Sequence, residues 1–187
     1  MTGTTLVVLA SMTALLVVPS QNRDPDVPAL ALPALSPGAA CPVSTGTRGA
    51  VPRQEHIFGG DLWFGRGPVY VGLAWKPEHT GDTATFSLAP VPIENGARRA
   101  KTPWISVPTY AGPIVVRGHA LDDPRKALLF NHNGRRPMTR LHVEAPRAPS
   151  AELWSFWPTS MWIPGPGCYG MQIDTPSATD IVVFEAS

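Results

Sequence analysis

No stretch of this chain sustains the 3.6-residue apolar periodicity of an amphipathic helix, which leaves strands and turns to build any core. Charge is scarce, at 16% Asp, Glu, Lys and Arg with a net charge of +1, and that balance excludes bulk nucleic-acid binding. No G-x-S-x-G, Walker loop, H-E-x-x-H or C-x-x-C occurs, so no catalytic residue is assigned from a motif. The five histidines, His56, His79, His119, His132 and His142, show no metal-ligand spacing. Only His119 and His142 fall where neighbouring strands could bring them together, and strand histidines are more often structural; no metal or cofactor is expected. No internal repeat is found, which disfavours propellers and solenoids.

What is abundant is punctuation. The 187 residues contain 22 prolines and 17 glycines, and proline breaks both helices and strand interiors. Short apolar runs between such breaks predict an all-β fold, an immunoglobulin-like β-sandwich of about nine short strands. The length fits one domain. Strands are read at 61–64, 69–75, 83–88, 103–107, 112–121, 127–130, 138–143, 153–157, 168–173 and 181–184. Val71, Leu73, Ile114, Val116, Ile173, Val182 and Phe184 are placed in the core between two sheets, from their alternation or strand-centre position. Asn133-Gly134 fits a hairpin turn, where positive φ is needed. Asp122-Asp123-Pro124 is read as a turn, in which an aspartate bonds its own backbone.

The organisation expected is a signal peptide over 1–20, a Pro/Ala-rich linker over 21–40 and a β-sandwich domain over 41–187. Residues 1–22 carry no charged side chain, and Leu6–Val18 is an apolar run of 13 residues. That length suits a signal-peptide core and is short for a membrane span, which takes about 20 residues. The n-region lacks Lys and Arg; an uncleaved anchor or a buried strand is the competing reading. After processing no stable transmembrane span is expected, and the localisation inferred is secreted or cell surface. Residues 21–40 contain four more prolines without periodicity, hence an extended linker. The only two cysteines, Cys41 and Cys168, are expected to form a disulfide, because an exported protein folds in an oxidising compartment. Tyr169 is expected to pack on that bond.

Several segments together resemble an uncharacterised family of small exported bacterial β-sandwich proteins. They are Cys41-Pro-Val-Ser44, Gly60-Asp-Leu-Trp63, Trp104, Gly112-Pro-Ile-Val-Val-Arg-Gly-His-Ala-Leu-Asp122, and Trp157-Pro-Thr-Ser-Met-Trp-Ile-Pro-Gly-Pro-Gly-Cys-Tyr169 with Ile181–Phe184. The family pattern has an early CPV(T), a central G-x-L-x-I-x-G-R-x-L-D and a late FP-x-x-GCW-x-V. Here His119 stands at the pattern's arginine and Tyr169 at its tryptophan. The resemblance spans most of residues 41–186 and implies export and fold. It implies no catalytic residue and no ligand.

Two constellations bear on binding. Trp154, Trp157 and Trp162 are close in sequence and could form a platform that stacks on sugar rings; packing is the plainer reading of each, since a tryptophan buries a large apolar area. Residues 95–147 hold ten Lys and Arg against Asp122, Asp123 and Glu144, whereas 148–187 hold four acids and no base. Arg98-Arg99 follows Asn95-Gly96, and Arg135-Arg136 follows Asn133-Gly134. Were both turns at one end of the sandwich, these arginines would make an anion patch; solubility is the plainer reading. The leading expectation is an exported non-catalytic interaction or structural domain of unknown ligand, its partner an envelope polymer or another exported protein. The alternatives are a carbohydrate- or anionic envelope-polymer-binding module, and a hydrolytic enzyme whose site is assembled from scattered residues.

Overall fold

A computed structural model describes residues 27–49, 62–73, 81–134, 136–144 and 154–187. The segment read as a signal peptide therefore lies outside the described residues. Twelve strands are present among those described. They are β1 Thr47–Arg48, β2 Leu62–Trp63, β3 Val69–Val71, β4 Thr85–Phe86, β5 Ile93–Glu94, β6 Ala97–Ser106, β7 Ile114–Ala120, β8 Leu129–His132, β9 Arg140–Val143, β10 Ser155–Ile163, β11 Gly167–Asp174 and β12 Thr179–Ala186.

The protein is an all-β sandwich. Sheet I runs β3-β6-β10-β8, with β5 also paired to β6; sheet II runs β4-β12-β11-β7-β9. The β1-β2 pair forms a third, two-stranded sheet, and Phe64, just after β2, bridges to Val71 of β3. Pairing is antiparallel except between β12 and β4. Side chains alternate across each sheet. In β11, Tyr169, Met171 and Ile173 face the core, and Cys168, Gly170, Gln172 and Asp174 face outward; in β7, Ile114, Val116 and Ala120 face inward against Val115, Arg117 and His119 outward. The seven residues expected in the core, Val71, Leu73, Ile114, Val116, Ile173, Val182 and Phe184, all belong to one buried cluster. Two threonine hydroxyls form a network in the core. Thr159 donates to Thr102 O at 2.7 Å, and its Oγ1 receives Trp104 Nε1 at 3.1 Å and lies 3.0 Å from Thr102 Oγ1. Every polar atom of this trio has a partner, which is the condition for placing it in an apolar interior.

Several strands exceed their sequence-based bounds. Strand β10 continues to Ile163 through Pro158, and β6 begins at Ala97, runs through Pro103 and ends at Ser106. The two prolines are register partners. Neither has an N–H, so this rung exchanges no hydrogen bonds, and the missing donors point outward to the flanking strands. Strand pairing on both flanks ends beside this rung: the last residue of β3, Val71, pairs with Trp104, and the last of β8, His132, pairs with Thr159, while Gly72 N still donates to Pro103 O at 2.9 Å.

The turn chemistry follows the sequence. Asn95 and Asn133 have φ of 53° and 56°, and the glycines after them are also positive. The Asn95-Gly96 turn joins β5 to β6 within sheet I. The Asn133-Gly134 turn closes on a single Phe130–Met138 bridge, after which the backbone passes from sheet I to β9 of sheet II. Asp123 Oδ1 accepts the Arg125 N–H at 3.1 Å, closing the expected turn, and Arg125 holds its carboxyl below the usual carboxylate range.

Candidate functional site

The disulfide is present: Cys41 and Cys168 Sγ atoms are 2.00 Å apart across 127 residues. Cys168 faces outward on β11, so the bond lies on the outer face of sheet II, beside Leu121 and Val183. Tyr169, one step along, points the other way and stacks on Phe184 with ring centroids 5.4 Å apart. It therefore does not pack on the disulfide, contrary to expectation, because adjacent strand residues face opposite sides. Its hydroxyl donates to Gly165 O at 2.8 Å, and burial pushes its pKa up.

From Cys41 toward the N-terminus the backbone is not a free spacer. Residues 28–35 cross the outer face of sheet II as an extended strap. Leu35 N donates to Leu121 O at 3.2 Å. Leu32 seats over Gly170, where an added Cβ would stand 3.1 Å from Leu32 Cδ2 and 2.8 Å from Leu121 Cδ2. Glycine thus lets both leucine side chains settle directly on the backbone of β11, which floors this groove. Beyond it, the Gln172 amide grips two backbone groups of the strap: Oε1 accepts Ala31 N–H at 2.7 Å, and Nε2 donates to Ala29 O at 3.0 Å. Arg117 Nη2 reaches Pro28 O at 2.6 Å.

These gripping groups are themselves held. Asp174, 4% exposed, receives Arg117 Nη2 at 2.6 Å, Gln172 Nε2 at 2.9 Å and Thr179 Oγ1 at 2.9 Å. One buried carboxylate therefore fixes the rotamers of both side chains that read the strap (charge-assisted bonds being the stronger kind). Gln172 is fully buried. The arrangement recognises backbone N–H and C=O with side-chain donors and acceptors, and adds one apolar seat at Leu32. Chemically it is a site for extended polypeptide. No protein-family model matches this sequence, and neither does any curated protein or solved structure.

The two constellations singled out from sequence are not assembled. Trp157 faces the core from β10, whereas Trp162, five residues on, faces the outside of sheet I. The strand's two-residue period separates them, so Trp154, Trp157 and Trp162 make no common platform. Trp162 is itself buried, with the Arg99 guanidinium 5.3 Å above its ring. Trp154 is half-buried beside Tyr70 at 6.3 Å, over Trp63 and Ile105.

The two Asn-Gly turns are not neighbours in the sheet. The Asn95-Gly96 turn precedes β6, whose Arg98 pairs with Ile163 at the C-terminal end of β10. The Asn133-Gly134 turn follows His132, which pairs with Thr159 and leads toward the N-terminal end of β10. The two turns therefore leave sheet I in opposite directions, one beyond the C-terminal end of β10 and the other beside its middle. Arg98 is turned onto Val91 O at 2.7 Å, and Arg99 onto Glu94 and Ser160, each at 3.2 Å. Arg136 is exposed, and Arg135 lies outside the described residues.

The histidine pair is also apart. His119 of β7 stands opposite Gly170, and His142 of β9 stands opposite Val115. Beside the β5–β6 turn is a cleft of about 410 Å³ lined by Leu88, Ile93, Arg98 and Pro164. Ile93 is its most exposed apolar side chain.

Proposed function

We propose that this protein is an exported interaction domain whose partner is polypeptide rather than sugar or anionic polymer. The observation that carries the reading is the strap groove, in which Gln172 and Arg117, braced by Asp174, bind backbone atoms of an extended segment. Export is supported by the Cys41–Cys168 bond, since such bonds persist in oxidising compartments. The 13-residue apolar run near the N-terminus points the same way. The polymer readings lose their support with the dispersal of the tryptophans and arginines described above.

The test is expression of the full-length protein in a bacterial host, followed by fractionation and non-reduced peptide mapping. The protein should be recovered from the medium or envelope with the Cys41 and Cys168 peptides linked. Recovery solely from the cytoplasm, with both thiols free, would overturn export.

A further inference from the structure

We infer that the groove on the outer face of sheet II is a binding site in trans, and that its occupant there is the residue 28–35 strap of a second copy of this protein. The inference rests on the reading of the protein as an interaction domain and names its partner.

Four observations carry it. First, the groove is built by sheet residues alone: Gly170 and Gln172 of β11, Arg117 of β7 and the buried Asp174 that braces them. It does not depend on which molecule supplies the strap. Second, what the groove reads is backbone at residues 28, 29 and 31 plus the side chain of Leu32. A second copy carries every one of these groups in the correct order. Third, the strap is lightly held. Only Leu32 and Leu35 among residues 28–35 are half-buried, and the remaining six are exposed. Fourth, a hinge lies in the right place. Ser36-Pro37-Gly38-Ala39 turns between the strap and the disulfide, with Ala39 N on Ser36 O at 3.0 Å and Gly38 at φ 78°.

The contacts made in cis and in trans are identical, so their balance is set by tether and concentration. A short tether holds the strap at an effective concentration in the millimolar range. Exchange between two copies becomes favourable when both straps swap, because the second exchange is then intramolecular. Opening the Ser36–Ala39 turn moves the strap to the neighbouring molecule while Cys41 remains bonded to Cys168. No covalent bond is made or broken.

Two full-length variants separate strap from groove. Ala31→Pro with Leu32→Asp removes the N–H that Gln172 accepts and the apolar anchor, giving a protein with an intact groove and a released strap. Gln172→Ala gives a protein with an intact strap and a weakened groove; Gly170→Ala, whose methyl would crowd Leu32, is the second variant of that kind. A dye-labelled peptide of residues 27–36 should bind the strap-released variant. It should bind wild type about tenfold or more weakly, because the cis strap competes. It should bind about tenfold or more weakly again when Gln172→Ala is added to the released variant. Mixing the released variant with the Gln172→Ala or Gly170→Ala variant should give a 1:1 complex by light scattering, while each alone stays monomeric.

A folded, disulfide-bonded released variant that binds no peptide overturns the groove as a trans site. Peptide binding without a complex between the two variants overturns the second copy as its occupant. Should the released variant not fold, excess peptide added to wild type must raise hydrogen exchange at the amides of residues 29–35, and unchanged exchange overturns the inference. Each of these outcomes is independent of where the protein is found in the cell, so failure here and failure of export are told apart.

Discussion

At the scale of single residues, the hydroxyl of Thr159 is the most heavily used polar atom in the core. It accepts the Trp104 indole N–H and donates to Thr102 O. Thr159→Val preserves shape and leaves the indole N–H buried without an acceptor. The expected loss is about 1–3 kcal/mol, read as a lower urea midpoint with unchanged slope; an unchanged midpoint would show that the trio contributes nothing. Tyr110 gives a second prediction. Its phenol is buried, donates to Pro113 O at 2.5 Å, and is pushed up to about 12. A folded-state value above the unfolded one means that the stability it contributes is complete below about pH 10 and is lost as pH rises toward 12. Alkaline titration followed by tyrosinate absorbance should show late ionisation of Tyr110 and Tyr169, and Tyr110→Phe should remove one of the two late phenols. A protein whose tyrosines all ionise near pH 10 while still folded would contradict this.

At the scale of elements, alternation was enough to place the core and not enough to bound the strands. Val116 sits centrally in β7, paired to Ile173 on one side and Leu141 on the other. Val116→Asp would bury a charge without a partner and should cost several kcal/mol, seen as a large fall in Tm or failure to fold; an unchanged Tm would mean that the residue does not face the core. The strands misjudged from sequence share a cause. Pro103 and Pro158 read as strand ends because proline donates nothing to a ladder, and their mutual pairing inside sheet I has no signature in either segment alone. The arginine pairs illustrate another limit. Each Asn-Gly turn was legible, with the positive φ it requires, but where on the sheet each lies depends on strand order. Local sequence does not encode that order. The strap was invisible for a different reason. Gln172 and Asp174 alternate with Met171 and Ile173 as any half-exposed strand would, and recognition of backbone atoms makes no demand on the bound sequence beyond one leucine. The repeated Pro-Ala-Leu at 28–30 and 33–35 was the available hint, and by composition it reads as linker.

At the scale of the whole molecule, one covalent link closes a span of 127 residues. In the chain-entropy picture a loop of that size restricts the unfolded state by roughly 4–5 kcal/mol, with measured values usually smaller. Reduction, or Cys41→Ala with Cys168→Ala, should therefore lower Tm by several degrees or more. It should also raise protease sensitivity between residues 36 and 47, since Cys41 and the Ser44–Val183 bonds anchor that stretch to sheet II. Equal Tm for the oxidised and reduced protein would show that the bond is dispensable to the sandwich.

The facing prolines of β6 and β10 have a consequence for how this molecule behaves in a crowd. An open sheet invites a stranger's strand wherever its outer N–H and C=O groups are unmet. At the rung of Pro103 and Pro158 both flanking strands have ended, but the outward carbonyls are already met, Pro103 O by the Gly72 N–H at 2.9 Å and Pro158 O by His132 Nδ1 at 3.1 Å. Nor does that rung offer a hydrogen to an incoming strand. With its carbonyls occupied and no N–H to give, this rung leaves a stranger's strand nothing to pair with.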